Sequence, residues 1–266
     1  MSPGVDPAAA AQAQALLAPL DERYHRWMAG HLDDVYEPAG EVRAQPLVVH
    51  LEKADPPGRT AALEAAATAA LSVFFDPRAA PGGPWADELS AWVGGRIRKV
   101  ARRARGTYWQ AASDLPGVTV SVGGAEVRAF PPCRVTELPK ELSRLQVSGT
   151  DLVDTSEPGE PAPGVPVLWL PPDLAMTAGK AMAQVGHATM LLAAFLDLPT
   201  LTHWAEAGLP VAVRQASAGA WAAAGDPGVD PAALWETSRR AAVRDAGFTE
   251  VEPGTITVVA DGSPLS

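Results

Sequence analysis

Residues 177–195, TAGKAMAQVGHATMLLAAF, run without a gap against residues 56–74, PPGRTAALEAAATAALSVF, and this match decides how the rest of the chain is read. Gly58, Ala62, Ala67, Thr68, Leu71 and Phe74 recur as Gly179, Ala183, Ala188, Thr189, Leu192 and Phe195. Both stretches read as alanine-rich helices, over 60–75 and 177–196, the second with Thr177 as its N-cap. Each follows a short apolar run of strand type, residues 46–51 (PLVVHL) and 165–170, in which Pro46 and Pro166 hold matching places. Alanine-rich helices align easily by chance, so the order of matching elements carries more weight than the identities.

Towards the end of each half a second pair aligns. LPGVTVSVGGAEVRAF (115–130) runs against DAGFTEVEPGTITVVA (245–260), with Gly117, Thr119 and Gly124 recurring as Gly247, Thr249 and Gly254. Polar positions separate the copies. Lys180 stands opposite Arg59, Gln184 opposite Leu63, His187 opposite Ala66 and Asp245 opposite Leu115. The reading is a duplication whose first copy kept the scaffold without the chemistry.

Between the matched segments the pattern predicts a helix around Trp204, a strand over 211–214, helices over 216–224 and 231–242, and strands over 248–251 and 256–260. Alternating strands and helices place the chain in the α/β class. Its 266 residues divide into a helical extension (1–45, interrupted at Pro19), a degenerate domain (46–132), a connector (133–164) and a second domain (165–266). The connector ends in DLVDTSEPGEPAPG (151–164), an acidic Pro/Gly composition that cannot bury enough apolar surface to fold.

Twenty-one basic against 31 acidic residues give a net charge of −10, which excludes a protein that coats nucleic acid over its whole surface. One basic window stands out, GGRIRKVARRARG (94–106), carrying Arg96, Arg98, Lys99, Arg102, Arg103 and Arg105. It fits salt-dependent phosphate binding, and equally a solvated face paired with the acidic linker. The single cysteine, Cys133, allows no internal disulfide and reads as structural, which favours a reduced, cytoplasmic setting. No signal-peptide pattern opens the chain, and the most apolar stretch, 181–196, is too short and too polar to span a membrane.

Lys180, Gln184 and His187 fall at i, i+4 and i+7 and share one helical face. Gly179 and Lys180 occupy the first turn, where free amides and the helix dipole favour an anion. By spacing alone these residues also fit a solvated lysine, a surface glutamine and a satisfied core histidine. Asp245, ahead of Gly247, fits an ordinary Asx turn.

Two segments together are more specific. MTAGKAMAQVGHATM (176–190), preceded by Asp173-Leu174-Ala175-Met176, resembles the signature helix of peptidyl-tRNA hydrolases of the archaeal and eukaryotic type, the Pth2 family. DAGFTEVEPGTITVVA (245–260) resembles that family's second signature, an Asp-Ala-Gly-x-Thr turn followed by a Pro-Gly-x-x-Thr-Val run. Trp204 and Gly208 match the family's middle, so the resemblance covers about residues 165–260.

It implies an αβα sandwich around a small mixed sheet, present as two tandem copies if the repeat holds. The activity implied is hydrolysis of the ester between a peptide and tRNA, with no metal and no cofactor. Lys180, Asp245, Gln184, His187 and Thr249 are its expected catalytic group, while Gly179 and the six basic residues of 94–106 would hold tRNA. Family members commonly dimerise, so a fused copy implies a monomer with internal pseudo-twofold symmetry; a homodimer is the alternative. The chain departs from the family pattern at Val211, where a lysine is usual, and at Phe248 and Glu250. Those departures favour the competing reading, a non-catalytic RNA-binding protein on the same scaffold.

Overall fold

The computed structural model describes residues 7–28, 37–147, 149–224, 231–245 and 250–265. In chain order the first half comprises α1 (Pro7–Leu17), α2 (Pro19–Met28), β1 (Arg43–His50), α3 (Arg59–Ser72), α4 (Ala86–Gly94), β2 (Lys99–Ala104), α5 (Gly106–Ser113), β3 (Val118–Val122), β4 (Ala125–Ala129), β5 (Cys133–Arg134) and α6 (Lys140–Ser143). The second comprises β6 (Val167–Leu170), α7 (Ala178–Phe195), α8 (Leu198–Glu206), β7 (Ala212–Gln215), α9 (Ala218–Ala224), α10 (Pro231–Ser238), β8 (Arg240–Arg244) and β9 (Ile256–Asp261).

Two mixed sheets flanked by helices result, and they share one plan. The first runs β2-β1-β4-β3 and the second β7-β6-β9-β8. In each, the outer pair is parallel (β1 with β2, β6 with β7) and the remaining pairs are antiparallel. A parallel pair needs a crossover connection. Helices α3 and α7 lie within these crossovers, directly after β1 and β6.

Helix α3 is buried from Ala62 to Leu71 with the exception of Glu64, so it has almost no solvent face. A helix that is apolar all round belongs in the middle of a structure. Its partner there is α7, similarly buried along most of its length. Small side chains bring the two backbones close enough for a hydroxyl group to bond across, Thr189 Oγ1 donating to Ala67 O (3.0 Å), while Thr68 Oγ1 of α3 donates to Leu209 O beyond α8 (3.0 Å). One continuous core, including Leu63, Phe74, Met182, Met190 and Trp204, therefore runs through both halves.

Each central helix also touches the other half's sheet. Glu64 of α3 accepts from Arg214 Nη1 (2.8 Å) and Val213 N (3.0 Å) on β7, while α7 packs on β2. The sheets are thus not two separate domains joined by a tether.

Several sequence expectations change accordingly. The extension over 1–45 does more than precede a domain: α1 lies across the ends of both central helices, Gln12 Nε2 donating to Phe74 O (2.8 Å) and Gln14 Nε2 to Leu196 O (2.9 Å). Tyr24 of α2 accepts from Ala242 N (3.0 Å), and burial pushes its phenol up to about 12. The first sheet starts at Arg43 rather than Pro46. Residues 133–146, expected in the connector, are built into it, since β5 pairs with β1 and Gln146 bridges to Arg103.

The acidic stretch 151–164 forms no helix or strand, as its composition dictates, yet it is pinned along its length. Leu152 is buried, Asp154 accepts from Thr60 N and Oγ1 at the start of α3 (2.8 and 2.7 Å), and Gly159 O accepts from Arg214 Nε (2.9 Å).

The helix expected over 231–242 ends at Ser238. Arg239 takes a left-handed conformation (φ 55°), which stops the helix, and RAAVR then runs as strand β8. Glu250 and Val251, expected in a strand, lie in a bend; Phe248 and Thr249 fall outside the described residues. Among the described residues no helix is long and apolar enough to cross a membrane.

Candidate functional site

Helix α7 begins after Thr177, whose side chain accepts from Lys180 N (3.2 Å). From that first turn Lys180 reaches Asp245, at the end of β8, with Nζ 2.5 Å from Oδ2. One turn further on, Gln184 Nε2 donates to the same oxygen (2.8 Å). Lys180 and Asp245 are each only 10% exposed, so water screens their attraction weakly.

The chain of bonds continues inward. Thr257 Oγ1, on β9 and fully buried, lies 2.6 Å from Gln184 Oε1 and 3.2 Å from Val243 O. Gln184 is buried too, and its amide is thereby oriented with oxygen towards Thr257 and nitrogen towards Asp245. The Asp245 backbone is held on both sides, its N–H donating to Thr255 O (2.9 Å) and its carbonyl accepting from Gly254 N (2.8 Å). Gly254 makes that turn at φ 85°, a left-handed geometry that glycine adopts without steric cost.

Thr257 is a member of this network that sequence reasoning passed over. Its signal was present, for it is the threonine of the Pro-Gly-x-x-Thr-Val run. Thr249, expected beside Asp245, lies outside the described residues, as does Gly247.

His187 does not join the cluster as its i+7 spacing suggested. Its Nδ1 lies 3.2 Å from Lys99 Nζ, contributed by β2 of the other half. The residue is half-buried between α7 and β2. Burial first, then the nearby charges of Lys99 and Lys180, hold the imidazole well below its usual pKa.

The same contact corrects the reading of Lys99 as a tRNA ligand. It is buried, touching Met190 Sδ (3.0 Å) and lying over the Trp92 ring (5.0 Å), and burial holds its amine well below the usual lysine range. Strand parity explains the inversion: Lys99 and Ala101 point the same way, towards α7. The cost of desolvation favours the neutral amine there.

The rest of the basic window is likewise not one continuous face. Glu37 accepts from Arg98 Nη1 (2.6 Å) and, with its other oxygen, from the Arg96 backbone amide (2.9 Å), and Arg102 Nη1 donates to Leu145 O (3.0 Å). Arg103 and Arg105 alone line an open cleft, joined there by Lys53 and Arg144 from outside the window.

The first turn of α7 differs from the open anion site expected. Glu250 accepts from Thr177 N (3.0 Å) and Thr177 Oγ1 (2.7 Å), so a carboxylate of the chain itself already sits against the helix dipole. Gly179 faces the first half, where an added Cβ would lie 3.7 Å from Val147 O and 3.8 Å from Ala101 Cβ.

The repeat also needs re-registering. The ladders β3–β4 and β8–β9 close on Val122–Ala125 and Arg244–Ile256. The counterpart of Asp245 is therefore Gly123, in a tight turn over Ala61, and not Leu115, which lies before β3. The ungapped match placed a loop opposite a strand because the two connections differ in length.

Cys133 is half-buried, and burial, with Glu88 and Glu137 nearby, pushes its thiol up, away from the thiolate a nucleophile needs. Among the described residues no three His, Cys, Asp or Glu side chains are grouped to hold a metal ion. Searches against family models, curated proteins and solved structures find no match to the chain.

Proposed function

We propose that this protein hydrolyses the ester joining a peptide, or an N-blocked aminoacyl group, to the 3′ ribose of tRNA. The observation that carries the reading is the convergence of Lys180 and Gln184 on one oxygen of Asp245, which joins the two segments resembling the hydrolase signatures. Asp245 accepts a proton from water as the water oxygen attacks the ester carbonyl. Lys180, an ammonium with three donors, stabilises the negative charge that develops on the carbonyl oxygen. Asp245 returns that proton to the ribose oxygen as it departs, which restores its carboxylate, and the peptide leaves as a carboxylic acid that ionises in water. Gln184 and Thr257 are positioning residues, acting through Asp245. Cytoplasmic location and action as a single chain belong to the same proposal.

The common plan of the two sheets supports reading the halves as duplicated domains of this hydrolase type, the first of them silent. Gly123, Leu63, Ala66 and Arg59 stand there in place of Asp245, Gln184, His187 and Lys180.

The test is hydrolysis of an N-blocked aminoacyl-tRNA by wild type, Lys180→Ala and Asp245→Asn. Each variant is expected to fold and to lose about two orders of magnitude or more in rate. Unchanged hydrolysis by folded Lys180→Ala would overturn the assignment. A second reading, a non-catalytic RNA-binding protein on the same scaffold, is favoured by Glu250, which closes the helix start where an anion was expected. Absence of hydrolysis by wild type, with tRNA binding retained, selects that reading.

A further inference from the structure

The open cleft that receives Arg103 and Arg105 lies at the carboxyl ends of β1 and β2. It is about 350 Å³ in volume. Leu51 and Lys53 follow β1, Ala104 and Arg105 end β2, and Arg144 and Gln146 close the far side. In an open α/β sheet, the crevice outside the carboxyl ends of parallel strands is where ligands bind. Among the described residues it is lined by four cations and no acid, in a chain of net charge −10.

Those cations are available. Among the described residues none of Lys53, Arg103, Arg105 and Arg144 is in an ion pair, although Arg103 Nη2 donates to Gln146 Oε1 (2.6 Å). Glu52, the acidic neighbour, accepts from Gly106 N (2.9 Å), contacts His50 and lies within electrostatic reach of Arg105, but does not line the cleft. Tyr108 supplies an aromatic wall, half exposed, with the Arg144 guanidinium 4.8 Å from its ring centre. Phosphate-binding cations beside an exposed ring and a planar guanidinium are what a single-stranded nucleotide requires: charge for the backbone and a flat surface for the base.

We propose that this cleft binds a single-stranded segment of RNA, with phosphate on Lys53, Arg103 and Arg105 and a base stacked on Tyr108 and Arg144. The cleft is also close to the Lys180–Asp245 cluster. Its Gln146 wall is followed by Val147, whose carbonyl faces Gly179 at the start of α7. Only the identity of the strand, the acylated 3′ end of a tRNA running from the cleft towards Lys180, rests on the function proposed above.

The experiment has two arms, run on the full chain with Lys53→Glu, Arg105→Glu and Tyr108→Ala, all at exposed positions. In the first, fluorescence anisotropy follows a short labelled single-stranded RNA across a salt series. Each substitution is expected to weaken binding about tenfold or more, and each charge change to flatten the salt dependence by about one contact. Inorganic phosphate is the competitor. If it displaces the RNA at equal concentration and Tyr108→Ala binds like wild type, the cleft is a simple anion site and the proposal falls.

In the second arm, hydrolysis of an N-blocked aminoacyl-tRNA is compared with that of the same acyl group on adenosine alone. The substitutions are expected to raise KM for the tRNA and leave the adenosine ester unaffected. RNA binding lost in the variants while wild type fails to hydrolyse either ester would sink the hydrolase reading and keep the cleft. Hydrolysis with no effect of the substitutions on RNA binding would do the reverse.

Discussion

Lys99 and His187 come from opposite halves of the chain, yet the lysine amine lies 3.2 Å from the imidazole Nδ1 in a largely buried seam between β2 and α7. Both groups have depressed pKa values, so both bind protons more weakly in the folded state than in the unfolded one. For a base shifted this way stability is complete above the unfolded pKa and is lost as pH falls towards the folded value. Urea unfolding is therefore expected to show stability falling as pH drops below about 10.4 through Lys99, with a further loss below about pH 6.5 through His187. Lys99→Met should flatten the alkaline part of that profile without lowering stability at neutral pH. An unaltered slope in the variant would contradict the burial of the amine.

Gly186 makes room for this contact. A Cβ there would sit 3.0 Å from Lys99 Cδ and 3.1 Å from Ala70 Cβ. Overpacking of this kind costs about 1–3 kcal/mol, against at most about 1 kcal/mol gained from the better helix propensity of alanine. Gly186→Ala is expected to destabilise, and by less in a Lys99→Ala background. A double-mutant cycle by chemical denaturation measures the coupling.

Thr257 is the inner anchor of the polar cluster. Thr257→Val keeps the shape but leaves Gln184 Oε1 buried without its donor. The expected loss is about 1–3 kcal/mol and, for the hydrolysis proposed above, a fall in rate because Gln184 no longer holds Asp245. Thermal unfolding and single-turnover kinetics read the two effects, and Thr257→Ser should recover both.

Much of the cluster was legible in the sequence because it lies on a helix. The 3.6-residue period places Lys180 and Gln184 on one face, and the Thr177 cap sets where that face starts. His187 belongs to the same face, but no local pattern reveals that β2 of the other half approaches it there. Lys99 was misread for the related reason that a strand's two faces alternate, and a run of basic residues conceals which face is inside. Strand β8 was lost in RAAVR, whose alanines continue the look of α10; Arg239 with its positive φ, which no helix propensity announces, is what separates them.

Asp154 accepts from Thr60 N and Oγ1 at a sequence separation of 94, capping α3 from the strap between the halves. Asp154→Ala is expected to cost about 0.5–2 kcal/mol and to speed proteolysis within 151–164. Calorimetry and limited digestion test the two outcomes. Unchanged digestion would mean that Leu152 and Gly159 hold the strap unaided.

The seam between α3 and α7 has a consequence for stoichiometry. Two identical subunits joined through such helices would display every surface feature twice, related by rotation. Here the matching surfaces belong to different sequences, so among the described residues the first half has no counterpart of the acid–lysine pair at β8 and α7. The molecule therefore has a direction, and the RNA proposed above would lie across it in one orientation, one strand per polypeptide.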